Sequence, residues 1–529
     1  MHNIELIIVL LAVVTALAEL TDKVRIPYPI LLVLAGLGIG LVPGLPRINL
    51  DPPIIFLVFL PPMLYADAWY TSWPDFKAAR RPISLLAIGC VIFTTVAIAW
   101  VAHTFIPEFG WAEAFVLGAI ISPTDTIAAI AATRGLPVPR RVITVIQGES
   151  LVNDSTGLIA YKFAVAAVVT GAFSLGSASL EFIIVAGGGI ALGLGIGYVF
   201  MWIHRITADN ATTDTVLTFI TPFVCYLLAD HLNLSAVLAV VACGLLLSQK
   251  SHEFLSQKAR VQAVATWDTV VFIMNGIIFI LIGLQLPYVL EAISSLSLKT
   301  LIGYGLLISV AVIVVRLLWV YPGAFIPRWL SAEIRRTETT TNVRTVSIVA
   351  WSGIRGVISL AAAMALPLTL DNGSPFPNRD LIIFLTFCVI FATLVFQGLT
   401  LRPLIQALGI RGDNQLQQEE QEARLAIASR VIEHIEENYS LIGDELLPII
   451  KGKYEMRIQR IRKDLTKQQL DEQSVREFMR IQQELIHTER KVIQSLRKEG
   501  RVSVEVSRKI NYELDLEETR LLMEMESLG

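Results

Sequence analysis

One stretch of the chain spaces its oxygens as a ligand set would: Gly148-Glu149-Ser150-Leu151-Val152-Asn153-Asp154-Ser155. Residues four apart share one face of a helix, so Glu149 lies above Asn153 and Ser150 above Asp154 in adjacent columns. Carboxylate, hydroxyl and amide oxygens so grouped suit two tasks, holding a small hard cation or carrying a proton on a carboxylate. The stretch lies inside an apolar run at 142–172. An ionisable side chain there costs ~2.5–3.5 kcal/mol by insertion scales and needs a partner, a water-filled cavity or a transport role. A polar knot that only locks helices together is the bland alternative, and two acids in one stretch weigh against it.

The other ionisable residues deep in apolar runs are Asp67, Asp125, Lys162, Asp268, Arg316 and Arg355. Asp125 belongs to Ser122-Pro123-Thr124-Asp125-Thr126, in the middle of a run at 111–133. Proline removes a backbone donor and clashes with the preceding turn, while the neighbouring hydroxyls and carboxylate can satisfy the freed groups. This reads as a broken helix, the device by which many transporters expose carbonyls and half-helix ends to an ion. A counterpart stands in the run at 344–366, where Ser352-Gly353-Ile354-Arg355-Gly356 sets two glycines around a buried arginine. Arg355 cannot lose its proton and requires an anionic partner. Glu149 is the natural candidate, leaving Asp154 as the free acid; Asp125 is the other possibility.

The elements that must position these residues are helices in a membrane. The 529-residue chain is 54% hydrophobic and 17% charged, against about 25% charged in an average soluble domain. Residues 412–529 hold 19 Lys and Arg and 24 Asp and Glu, so the first 411 hold only 24 and 22. The domain boundary is therefore set between an apolar body, 1–410, and a polar tail, 411–529. Between residues 4 and 401 the body divides into thirteen runs of about 20 residues, the length of one helical pass. The broken helices are passes 5 and 12, seven apart and so oppositely directed, as in an inverted repeat. Loops after odd-numbered passes carry 18 basic residues, among them Arg80, Arg140 and Arg205, and the opposite loops three: Arg47, Lys299 and Arg379. By the positive-inside rule the N-terminus lies outside and the tail in the cytoplasm.

The near-neutral charge of −3 argues against nucleic-acid binding. Cys90, Cys225, Cys243 and Cys388 stand singly, without metal or disulfide spacing. No nucleotide motif or histidine pattern supports an enzyme, and no cofactor is implied. Gly189, Gly193 and Gly197 are spaced for close helix contact, either within the protein or at a dimer surface.

These residues resemble the cation:proton antiporter-1 family, which includes the NhaP-type antiporters and the eukaryotic sodium/proton exchangers. The resemblance covers about residues 5–410. It rests on Leu60-Pro61-Pro62-Met63-Leu64-Tyr65-Ala66-Asp67, on the three motifs above, and on Phe396-Gln397-Gly398-Leu399-Thr400-Leu401-Arg402-Pro403-Leu404. It implies an all-α polytopic fold of about 13 transmembrane helices with crossed broken helices, alternating access, and a homodimer in the cell membrane. It further implies that Asp154 binds cation and proton with Ser150 and Thr124 beside it, and that Asp67 contributes at the cation site. In the same terms Glu149 and Arg355 form a structural ion pair and Asp125 supports the helix break. Asn153 preceding Asp154 matches the signature of electroneutral exchange.

The expected function is electroneutral exchange of a monovalent cation (Na⁺, or Li⁺ or K⁺) for a proton, contributing to pH homeostasis. Bound cation favours the Asp154 carboxylate and its removal favours protonation, so the two compete. The alternatives are a cation channel or a transport-derived sensor on the same scaffold. In the tail, Leu425, Ala428, Ile432 and Ile435 form an amphipathic stripe. Phe478, Leu485 and Val492, and Met479, Ile486 and Ile493, repeat every seven residues, as in a short coiled coil or bundle. Gly443 and Gly452, flanking Pro448, and Gly500 mark helix ends. A regulatory or dimer-supporting role is the expectation for this tail.

Overall fold

The computed structural model describes residues 2–24, 26–42, 56–107, 109–133, 136–171, 175–207, 210–293, 297–337, 342–370, 373–410, 415–439 and 472–499, with short stretches within 501–519. Gly443, Pro448, Gly452 and Gly500 lie outside the described residues, as do Arg47 and Arg134 and the side chains of Phe478 and Met479. The chain forms two compact units, Met1–Asp413 and Asn414–Gly529.

The first unit is helical. In chain order its principal elements are α1 (His2–Val24), α2 (Tyr28–Gly40), α3 (Leu60–Tyr70), α4 (Arg80–Phe105), α5 (Trp111–Ile121) and α6 (Thr126–Thr133). They continue with α7 (Arg140–Thr170), α8 (Leu175–Thr207), α9 (Ala211–His231), α10 (Ala236–Phe254), α11 (Gln257–Ala292) and α12 (Leu298–Leu330). The last three are α13 (Val343–Trp351), α14 (Val357–Met364) and α15 (Arg379–Ala407). Among the described residues, pairing of the strand type is confined to the isolated bridge between Thr369 and Pro375.

Among the described residues seven helices or helix pairs are long and apolar enough to cross a bilayer, and Ile8–Thr21 and Tyr28–Gly40 are shorter apolar helices. At 31 residues, α7 would span about 46 Å at 1.5 Å per residue. It falls outside the seven because its ionisable residues, Glu149, Asp154 and Lys162 among them, dilute its apolar run. The outer face of α12 shows the environment the unit is built for. Leu298, Ile302, Leu306, Val310, Val314 and Leu318, four apart, are all exposed. An exposed stripe of that length is untenable in water and ordinary against acyl chains. The protein is a multi-pass membrane protein.

Lipid offers no hydrophobic drive between helices, so contact depends on small residues. A Cβ on Gly193 of α8 would overlap the Ala239 carbonyl of α10, while Gly189 and Gly197 abut Ser235 and Cys243. The glycine stripe therefore faces α10 within the chain, the internal one of the two alternatives left open by its spacing. Gly193→Leu is expected to cost more than about 3 kcal/mol, the upper range for overpacking, because rigid backbone lies in its path. Gly195→Leu is expected to be tolerated, since nothing lies within 4 Å of its built Cβ. Yield of monodisperse protein on size exclusion separates the two.

In the second unit, α16 (Gln415–Tyr439) buries Ala428 and Ile435 of the predicted stripe. Along α17 (Glu472–Lys498), Ile486 and Ile493 are buried whereas Leu485 and Val492 are exposed. Ile486 packs with Leu514 and Ile510, and Arg490 donates to Asp515 (2.6 Å) and Glu518 (2.5 Å). One of the two seven-residue columns is thus a seam and the other is solvated.

Candidate functional site

Both runs read as broken are interrupted. Pro123 stands between α5 and α6, with Ser122 Oγ donating to the Ala119 carbonyl (3.0 Å). Ser352–Gly356 separates α13 from α14. The two breaks are joined directly, as the Asp125 N–H donates to the Ile354 carbonyl at 2.8 Å. Half-helix ends carry partial charge, positive at the N-terminus and negative at the C-terminus, and two side chains answer them. Arg355 Nε donates to the Ile121 carbonyl at the end of α5 (2.9 Å), and its Nη1 bonds to the Gly353 carbonyl beyond α13. Asp125 Oδ1 accepts the Ile127 N–H at the start of α6 (2.8 Å). A Cβ on Gly356, the N-cap of α14, would overlap the same carboxylate. One guanidinium thus serves both C-terminal ends and one carboxylate both N-terminal ends. The Arg355 N–H is held by Thr393 Oγ1 (3.1 Å), which opens a π-helical segment of α15.

The partner of Glu149 differs from the one the sequence suggested. Arg316 of α12 binds it in a fork, Nη1 to Oε1 at 2.5 Å and Nη2 to Oε2 at 2.9 Å, with both side chains buried. Arg316 also donates to the Ala350 and Val349 carbonyls in the last turn of α13 (3.2 and 3.0 Å). The expected Glu149–Arg355 pair is therefore corrected. The reason is steric and local: Arg355 is taken up by the carbonyls of the two breaks, while Gly353 has no side chain to block Arg316, whose Cδ its Cβ would overlap. In the sequence Arg316 is a charge within an apolar run with no local partner to give it a role.

From this pair a chain of hydrogen bonds runs to the first break. Thr124 Oγ1 donates to Glu149 Oε1 (3.0 Å) and accepts from Asn153 Nδ2 (2.8 Å), which also reaches the Thr124 carbonyl (3.3 Å). Asn153 is fully buried by these contacts. Asp154, about 100° further round the helix, points elsewhere: it lines a cavity of about 600 Å³, counting the solvent at its mouth. Asp67 of α3, Asp125, Thr124 and Ser150 line the same cavity, and the exposed carboxylate of Asp67 opens into it. Among the described residues no Lys or Arg lines the cavity, and no hydrogen bond or ion pair reaches the Asp154 carboxylate. Three carboxylates around one solvent-connected space make it attractive to cations, and hydroxyl oxygens at its wall can replace part of a hydration shell.

The structure therefore brings Asp154, Ser150, Thr124, Asp67 and Asp125 together around one cavity, and sets Asn153, Glu149 and Arg355 behind it as supports. Lys162 and Asp268 are exposed, and Tyr70 donates to Asp268 (2.7 Å). Ser359, on the cavity wall from α14, was missed; its one signal is a position one turn after the Gly356 break.

Comparison with known proteins places the chain in a family and a fold. The family described as sodium/hydrogen exchanger, transmembrane, matches residues 8–407. The chain is 33% identical over 452 residues to a sodium, potassium, lithium and rubidium/H⁺ antiporter of Bacillus pumilus, spanning 83% of this chain and 66% of that protein. It is 31% identical over 547 residues to an uncharacterized Na⁺/H⁺ exchanger, YjcE, of Escherichia coli, spanning 98% of each. The solved sodium proton antiporter MjNhaP1 of Methanocaldococcus jannaschii shares the fold, with a TM-score of 0.58 at 20% identity over 77% of this chain and 99% of that one.

Proposed function

The chain belongs to the sodium/hydrogen exchanger family, and from that premise we propose that it exchanges one monovalent cation for one proton at Asp154. The observation that carries this is the carboxylate of Asp154, which lines the acidic cavity beside Ser150 while its neighbour Asn153 is spent on the helix break. A cation held by Asp154 leaves the site close to neutral, and so does a proton. An ionised, unliganded Asp154 is costly to carry through a low-dielectric region. That penalty couples the two fluxes, because the return step requires one ligand or the other. Asp67, Ser150 and Thr124 supply further oxygens to the cation.

Residue 153 bears on stoichiometry. A second carboxylate there would add a charge to each loaded state, whereas the amide adds none. Exchange through Asp154 alone is one for one and electroneutral. The excess of basic residues in alternate loops supports an N-terminus outside and a cytoplasmic tail. The family resemblance supports a homodimer, with the tail as its regulatory or supporting element.

The test uses purified protein in proteoliposomes with cation and proton both more concentrated on the same side, so that the two gradients drive exchange against each other. Flux is expected to vanish when the two gradients are equal, and to stay at that point when the membrane potential is changed by 100 mV. Any net charge moved would shift the balance by about 2.3 kcal/mol per elementary charge. A null point that follows voltage overturns the stoichiometry, and cation flux without proton movement overturns exchange altogether.

A further inference from the structure

We propose that Ser359 is a cation ligand that sets specificity, contributed to the site by α14; this rests on the reading of Asp154 as the exchange site. Ser359 lines the same cavity as Asp154, Ser150 and Asp67, and is only 2% exposed. Among the described residues no hydrogen bond reaches its hydroxyl, and the oxygen is not sealed off as fully enclosed unpaired atoms such as Asn153 Oδ1 are, so it faces the open space of the cavity. Helical serines elsewhere in this unit bond back to the carbonyl four residues earlier, Ser309 to Gly305 (2.7 Å) and Ser347 to Val343 (2.8 Å). That outlet is closed to Ser359. Its position i−4 is Arg355, which lies in the break before α14 begins at Val357. The interruption therefore leaves a buried hydroxyl to the cavity rather than to its own helix.

The other oxygens come from α3, from the first break and from α7, so Ser359 brings a donor from the second broken helix. A hydroxyl is amphiprotic: its lone pairs serve a cation when Asp154 is ionised, and it accepts or donates a hydrogen bond when Asp154 carries the proton. Being neutral in both states, it changes neither the charge of the loaded site nor the stoichiometry. What it alters is how much of the hydration shell is replaced. Small ions hold water most tightly, so loss of one neutral oxygen penalises Li⁺ most, Na⁺ less and K⁺ least.

The experiment measures apparent KM for Li⁺, Na⁺ and K⁺ with the full chain in proteoliposomes, by dissipation of a pH gradient. Ser359→Ala is expected to raise KM for Na⁺ about tenfold, the effect of losing one polar contact. The increase is larger for Li⁺ and smaller for K⁺, with the maximal rate within about twofold of wild type. Ser359→Thr, which keeps the hydroxyl, retains the wild-type values. Unchanged KM in Ser359→Ala overturns the inference, and so does a lower rate or yield with the cation order preserved, the mark of a merely structural role. If Ser359→Ala yields no folded protein, Ser359→Cys is expected to show the same ordered shift, and its absence overturns the inference equally. Asp154→Asn is run in parallel. Exchange surviving there removes the site and Ser359 with it, whereas an inactive Asp154→Asn beside an unaltered Ser359→Ala removes Ser359 alone.

Discussion

Asp154→Asn is expected to reduce cation-dependent dissipation of a pH gradient to the level of protein-free vesicles, a loss of about 100-fold or more, with folded protein at wild-type yield. The substitution preserves shape but removes both ligands at once: an amide takes up no proton near neutral pH and offers a cation no full charge. Normal folding is expected because no protein group depends on this carboxylate among the described residues. Discharging a buried carboxylate that no protein group pairs with removes a desolvation cost rather than adding one. Asp125→Ala makes the contrasting control. Asp125 caps α6 through the Ile127 N–H, and loss of a cap costs about 0.5–2 kcal/mol, so that variant is expected to be less stable. The assay is a pH-sensitive dye in proteoliposomes, with size exclusion reporting the yield. Sustained exchange in Asp154→Asn would sink the assignment.

The parts of this site that sequence could reveal are those written in local chemistry. Proline between hydroxyls in an apolar run, and two glycines around an arginine, declare interruptions of a helix because backbone geometry decides them within a turn. The face shared by Ser150 and Asp154 follows from helical periodicity in the same way. Pairing is another matter. Glu149 and Arg316 are 167 residues apart, and nothing local tells which of two buried arginines meets the acid. Exposure is equally tertiary: Asp67, Lys162 and Asp268 all interrupt apolar runs, yet only Asp67 opens into the cavity. In the tail, two adjacent seven-residue columns look equivalent, and packing against Leu514 distinguishes Ile486 from Leu485.

The Glu149–Arg316 pair yields the largest expected effect on stability. Arg316→Met leaves Glu149 charged and buried, with Thr124 as its remaining hydrogen-bond donor. Removing one member of a buried pair costs about 3–5 kcal/mol, chiefly through the uncompensated charge left behind. Glu149→Gln in that background discharges the residue, and the amide oxygen can still accept from Thr124. The double variant is therefore expected to recover much of the loss, giving a coupling of about 1–3 kcal/mol. Arg355→Met behaves differently. It uncovers the Ile121 and Gly353 carbonyls at the two breaks, at about 1–3 kcal/mol for each unsatisfied group, and Glu149→Gln has nothing to restore there. Thermal unfolding of the detergent-purified variants separates the two pairings. Rescue of Arg316→Met alone identifies the partner of Glu149 as Arg316. Rescue of Arg355→Met instead would return the pairing to Arg355, and with it the break carbonyls would need another cap.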